Sequence, residues 1–316
     1  GKGLVVRNLS WAADEVDLQP RPANFASADQ HLTAMQADVV LAAFGFNESF
    51  AGKEGLPAFR ERLTKYVSGL KAKAFNGKTA ARIVLVSPIA NENVKGVDAA
   101  DRNNGNIQAY TQVMKEVAAA QKVGFIDAFK ATRSAMATPG NDLSINGCHL
   151  NGKGYQLFAG TVFKQLFGKD APKLDEALRA EVVEKNRQHF FRYRPLNTFY
   201  YTGGRNRSYG YLDFLPAMRN FDIMTKNRDA RIHALAQGKK VPAKIDDSNV
   251  PKMPVTPQSR NVNKLLTPKK ELEAFKVDPR FEVTLFASEE QFPEIACPIQ
   301  MRWDSLGRMW VSCSTT

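Results

Sequence analysis

The chain has 316 residues and a mass of 35.1 kDa, room for two domains, and its 43% hydrophobic content is that of a globular protein. No run approaches the roughly 18 apolar residues of a membrane-spanning helix, and Cys148, Cys297 and Cys313 make no Cys-x-x-Cys, zinc or haem-attachment pattern, so no cofactor or metal is expected. A net charge of +12 permits an anionic partner, nucleic acid or acidic glycan, without requiring one.

Residues 4–9 are predicted as a strand that runs into the polar stretch Ser10–Asp14. Residues 38–44 are a continuous apolar run, as in a strand buried on both faces, and end in Gly45-Phe46-Asn47-Glu48-Ser49. Over 54–73, Leu56, Phe59, Leu63, Tyr66, Val67 and Leu70 fall on one helical stripe. A strand at 82–87 ends in the Ser87-Pro88 loop, and the polar residues 101–106 read as a loop rimming a cleft, with a helix over 104–121. A last strand covers 123–127, where Asp127 suits a helix cap or turn. Alternation of strand and helix predicts a parallel sheet with helices on both faces.

The stretch Asn146–Tyr155 sets His149 on a tight, glycine-rich loop ahead of a helix at 153–167. A histidine on such a loop is a candidate general base; the plainer reading is a residue that bonds locally before the helix. Asn47 lies at the carboxyl end of a predicted strand, where open α/β sheets carry their sites.

Three of these segments resemble sequence blocks of the SGNH (GDSL-type) hydrolases. Asn8–Asp14 resembles the second block, with Ala13 where the family has its oxyanion-hole glycine. Gly45-Phe46-Asn47-Glu48 resembles the third block, Gly-x-Asn-Asp, whose Asn is the other oxyanion donor. Asn146-Gly147-Cys148-His149-Leu150-Asn151 resembles the last block, Asp-Gly-x-His-Leu-Asn, which supplies the triad Asp and His. The resemblance covers about residues 1–168. It implies a three-layer α/β/α, flavodoxin-like sheet and an esterase or carbohydrate-ester deacetylase, secreted or periplasmic, acting without metal on a small-molecule or carbohydrate ester. His149 would be the base, Asn47 and the Ala13 N–H the oxyanion donors, and Asn146 the group that orients the imidazole.

The chain departs from the pattern at three places. Asn146 replaces the triad Asp, Ala13 replaces the glycine, and the Gly-Asp-Ser block with the nucleophilic serine has no counterpart. Either the chain is a fragment whose first strand lies upstream, or the serine is lost and the domain is an inactive glycan-binding or scaffold module. Ser10 and Ser49 lie near the expected cleft but read as turn or cap residues. Cys148, adjacent to His149, reads as a buried thiol that does not share a reacting atom with it. The family's first strand lies inside the sheet, so its absence would leave unpaired edges; Phe281–Ala287 is the strand-like candidate to fill the gap.

Beyond 168, helices are predicted over 172–190 and 217–238, with an irregular aromatic loop over 191–216. Arg187, Arg192, Arg194, Arg205, Arg207, Arg219, Lys226, Arg228 and Arg231 are interleaved with Phe and Tyr across 187–231. Such a mixture can stack on bases, but no nucleic-acid motif accompanies it, so packing and internal pairing are the favoured reading. Residues 239–266 read as a linker. In the last segment, 267–316, a hairpin over 298–311 turns at Asp304–Arg308; it resembles the opening strands of a sugar-dehydrogenase-like β-propeller, without its redox function. Cys297 and Cys313 leave room for one disulfide. The expected organisation is therefore 1–168, 169–238, 239–266 and 267–316.

Overall fold

The computed structural model describes residues 3–22, 25–173, 175–194, 210–253, 266–295 and 297–313. Three strands, β1 (Val39–Ala43), β2 (Arg82–Val86) and β3 (Gly124–Ile126), form a parallel sheet in the order β1-β2-β3. Val39 lies opposite Arg82 and Ala43 opposite Val86; Val84 and Val86 meet Gly124 and Ile126. The predicted strands at 38–44, 82–87 and 123–127 are therefore present, and the class is α/β.

Helices α2 (Leu56–Lys71) and α3 (Ala100–Gln121) cover one face. Phe59, Leu63 and Val67 from α2 and Tyr110, Val113 and Met114 from α3 are buried with Val40, Ala42, Ile83 and Leu85 of the sheet. The stripe read from the sequence of α2 is the stripe that is buried. On the other face, Phe158 and Val162 of α5 (Gly152–Phe167) pack on Val86 and Ile126, so β2 and β3 sit between two helical layers. On β1 only one face is covered: Val39 and Leu41 remain 41% and 49% exposed. A Val or Leu gains about 1.5–3 kcal/mol only when fully buried, so the α2–α3 face holds this strand.

Several predicted elements differ. Residues 4–9 are in no strand. Their carbonyls are taken by side chains instead: Val6 O accepts from Lys185 Nζ (2.9 Å) and Leu4 O faces His233 Nε2 (2.8 Å), while Arg7 pairs with Asp229. These partners sit on α6 (Glu176–Tyr193) and α7 (Gly210–Ala236). Burial, reinforced by Arg7, lowers the pKa of Lys185. Residues 101–106 are the first turns of α3, not a loop; their asparagines are polar because they bond to the chain after β2. Two helices were not predicted. The first, α1 (Ala28–Ala34), opens with a Ser27–Gln30 capping box; the second, α4 (Ala128–Met136), is capped by Asp127, which accepts from Lys130 N at 2.8 Å. No described helix is long and apolar enough to cross a membrane.

The chain divides into two compact units, residues 1–189 with 225–246, and residues 190–224 with 247–316. In the second unit Phe191 packs on Phe221 and Arg192 pairs with Asp222 at 2.9 Å. The unit also holds α8 (Pro268–Ala274) and the predicted hairpin, β4 (Pro298–Trp303) and β5 (Met309–Cys313). Asp304 closes the turn by accepting from Leu306 N and Arg308 N. Phe281–Ala287 is in no strand, so it does not fill a gap in the parallel sheet; its residues lie largely exposed. The three cysteines are free: Cys313 pairs in register with Pro298, not Cys297, so no disulfide forms between them. Residues 239–253 carry no helix or strand, and most of the predicted aromatic loop, 195–209, lies outside the described residues. Several of the described arginines have internal partners: Arg228 with Glu184 (3.0 Å), Arg231 with Glu181 (2.8 Å), and Arg194 over the Phe190 ring.

Candidate active site

The candidate site residues lie on the irregular segment before α1, on loops at the carboxyl ends of β1 and β2, and on the loop before α5. The last of these closes on itself. Ser144 and Leu150 form an antiparallel bridge, Ile145 N donates to His149 O (2.8 Å) and Asn151 N to Leu143 O (2.9 Å). Asn151 also caps α5, accepting from Gly154 N at 3.0 Å.

Within this loop Asn146 Oδ1 is the focus. It accepts from Cys148 N (3.3 Å) and His149 N (3.1 Å) and lies 3.0 Å from His149 Nδ1. Two backbone N–H donors fix the amide with its oxygen inward, since the NH2 group offers them no acceptor. The imidazole must then present Nδ1–H to that oxygen, and Nε2 keeps its lone pair. The His149 side chain is exposed. Asn146 therefore sets the tautomer as a triad carboxylate would, without that group's charge to stabilise an imidazolium.

Cys148 is less buried than the thiol expected. It is half-buried with Sγ 3.3 Å from His149 Nδ1 and 3.5 Å from Asn146 Oδ1. Burial raises its pKa, and the nitrogen it faces is already a donor, so nothing there removes its proton.

Asn47 follows β1, half-buried, at the start of a 3-10 turn over Glu48–Ala51, and its side chain caps nothing. Its neighbours anchor the loop. Phe46 packs on the cluster of Ala90, Ile107 and Phe129. At Gly45 (φ 99°) a Cβ would lie 3.2 Å from Pro88 Cγ and from Met114 Sδ, so this glycine lets the β1 loop close onto the β2 loop. Ser49 is buried and donates to Phe46 O (2.6 Å), as a turn serine does; Ser10 is exposed, with its N–H on Asn8 Oδ1 (2.9 Å).

Ala13 is exposed and adopts a left-handed backbone, φ 65°, a conformation that glycine enters without the Cβ clash. The strand-side support is Glu48. Buried at 3% exposure, it accepts from Val16 N (3.0 Å) and Gly45 N (2.8 Å), clipping the chain after Ala13 to the end of β1. Burial raises its pKa, and the backbone donors offset this in part. Asp14 pairs with Arg21 (2.6 Å), whose guanidinium lies over Trp11 at 4.5 Å.

The residue that sequence reading missed is Glu92. It follows β2 in the run Asn91-Glu92-Asn93 and is buried, accepting from Leu143 N (3.0 Å), Ser144 N (2.7 Å) and the Ser144 hydroxyl. A carboxylate between two asparagines, on the loop that follows β2, was the available signal. Among the described residues no three His, Cys, Asp or Glu side chains gather as a metal site.

The profile of the GDSL-like lipase/acylhydrolase family matches residues 2–157, and that of a domain of unknown function (DUF7133) matches residues 267–315, which does not confirm a propeller there. Among curated proteins none matches the chain. Solved structures that resemble it include Axe2, an acetylxylan esterase from Geobacillus stearothermophilus (18% identity, TM-score 0.35, covering 45% of this chain and 65% of that one). Another is a lipase/acylhydrolase from Enterococcus faecalis (22% identity, TM-score 0.32, covering 45% of this chain and 67% of that one). The chain thus spans slightly less than two thirds of the length of Axe2. Residues 2–157, just under half of the chain, thus match the profile of the GDSL-like lipase/acylhydrolase family and contain the three-stranded parallel sheet.

Proposed function

We propose that this domain hydrolyses a small-molecule or carbohydrate acyl ester with His149 as general base. The observation that carries the reading is the Asn146 Oδ1 contact at 3.0 Å, which leaves Nε2 free to take a proton. Asn47 through its amide and Ala13 through its N–H are the oxyanion donors, and Asn146 orients the imidazole. The hydroxyl that Nε2 deprotonates belongs to a serine or to water; Ser49 directs its own proton to Phe46 O. The oxygen attacks the ester carbonyl, the negative charge that develops on the carbonyl oxygen is met by the two donors, and the alcohol departs with the proton held by His149; an attacking water leaves the free acid, and an attacking serine leaves an acyl-enzyme that water hydrolyses by the same steps.

The test is hydrolysis of p-nitrophenyl acetate by the chain beside its His149→Ala and Asn47→Ala variants. The base is expected to contribute about 10²–10⁴-fold and the amide about 10²–10³-fold. Equal rates for wild type and His149→Ala would sink the reading. A second reading, an inactive glycan-binding module, is favoured by the uncharged Asn146 and the strained Ala13; it predicts no hydrolysis by any of the three and retention on an acidic-glycan column.

A further inference from the structure

We propose that Glu92 is a positioning residue for His149, acting through Ser144 and Gly147. Glu92 touches no atom of the imidazole. Its oxygens accept from Leu143 N, Ser144 N and the Ser144 hydroxyl, and Ser144 Oγ in turn accepts from Gly147 N at 3.0 Å. The other side of the same residue is held as well: Gly147 O accepts from Glu92 N (2.9 Å) and Asn91 Nδ2 (2.9 Å). The carbonyl of Gly147 is therefore fixed directly by the segment that follows β2, and its N–H through Ser144, which Glu92 holds. Gly147 is the link between Asn146, which supplies the acceptor, and His149, which presents the ring.

The backbone at Gly147 has no freedom to relax around this clamp. Its φ is 93°, and a Cβ there would lie 2.7 Å from Glu92 O and 2.9 Å from Asn91 Nδ2. The segment that supplies Glu92 is itself tied down: Asn91 N donates to Asn104 Oδ1 and Asn104 Nδ2 to Asn91 O, each at 2.8 Å, and Asn103 Nδ2 bonds Asn91 Oδ1 at 2.5 Å. The chain of bonds runs from α3 through Asn91 and Glu92 to the His loop. It registers the imidazole to the strand edge beside which Asn47 lies, so the base and the oxyanion donor share one rigid reference. A fully satisfied buried network of this kind specifies one arrangement.

This inference rests on the ester-hydrolase reading for its kinetic readout and on the loop geometry for its spectroscopic one. The experiment compares the full chain with Glu92→Gln, Glu92→Asp and Ser144→Ala by ¹⁵N NMR of the His149 ring and by p-nitrophenyl acetate kinetics. In wild type the ring is expected as the Nδ1–H tautomer. Ser144→Ala and Glu92→Gln should mix the two tautomers and lower kcat by about tenfold or more with KM within about twofold, because a misplaced group costs the transition state more than the ground state. Glu92→Asp should restore part of both. If Glu92→Gln fails to fold, Ser144→Ala, which removes one hydroxyl, decides. Folded variants with the wild-type tautomer overturn the proposal. Should wild type hydrolyse nothing, the functional reading falls, and the tautomer still judges the clamp.

Discussion

The loop that carries His149 and the loop that carries Ala13 solve one problem with different success. Each needs a left-handed residue beside the site and a buried glutamate to tie it to the sheet. The His loop has Gly147 at φ 93°, with its glutamate accepting three hydrogen bonds from the loop. The other has Ala13 at φ 65°, with Glu48 accepting two backbone donors at a burial that raises its pKa. The difference teaches where strain is stored. The proposed base follows a left-handed glycine, which adopts that backbone without a Cβ clash, while the proposed oxyanion side carries a left-handed alanine.

The largest effect is expected from completing the better-built side. Asn146 gives His149 the right tautomer but no charge, and in a serine protease the equivalent Asp-to-Asn change costs on the order of 10⁴ in kcat. Asn146→Asp keeps the acceptor at 3.0 Å from Nδ1 and should raise kcat for p-nitrophenyl acetate by about tenfold or more. An unchanged rate would mean that imidazolium formation does not limit the reaction, or that no reaction occurs, and the inactive-module reading would then gain.

A smaller effect is expected at Glu48. Burial raises the folded-state pKa of Glu48 above its ordinary value of 4.5. The folded chain then holds that proton more tightly than the unfolded chain does. The associated stability is complete below 4.5 and is lost as pH rises through the raised value. Urea denaturation in steps from about pH 4 to about pH 8 should show stability declining over that window, and Glu48→Gln should flatten the decline. A slope that survives the substitution would place its origin elsewhere.

Much of this contrast was legible beforehand. The apolar runs at 39–43 and 82–86 and the stripe of α2 gave the sheet and its main cover, because burial on a repeating element leaves a period in the sequence. The roles proposed for Asn47, Ala13, Asn146 and His149 come from the order in which their segments resemble family blocks. What stayed hidden depends on contacts between distant segments. Leu4–Leu9 has the composition of a strand, yet Lys185, His233 and Asp229, some 180 to 230 residues away in sequence, take its polar groups. The asparagines of 103–104 look like a solvent-facing loop until Asn91 is seen bonded to them. Glu92 gave no periodic signal, since its role lies in three donors some 51–52 residues downstream.

The smallest effect tests the strained side directly. A left-handed backbone places Cβ against the following carbonyl and costs a non-glycine residue about 1–2 kcal/mol. Replacing Ala13 by glycine removes that clash but adds freedom to the unfolded chain, worth about 0.4–1 kcal/mol in the opposite direction. The net is a gain of about 1 kcal/mol or less for Ala13→Gly, read as a higher urea midpoint with an unchanged slope. The Ala13 N–H stays where it is, so the oxyanion donor is kept and kcat should move by less than about threefold. A lower midpoint would show that the alanine methyl makes contacts worth more than the strain, and the contrast between the two loops would then lie in their glutamates alone.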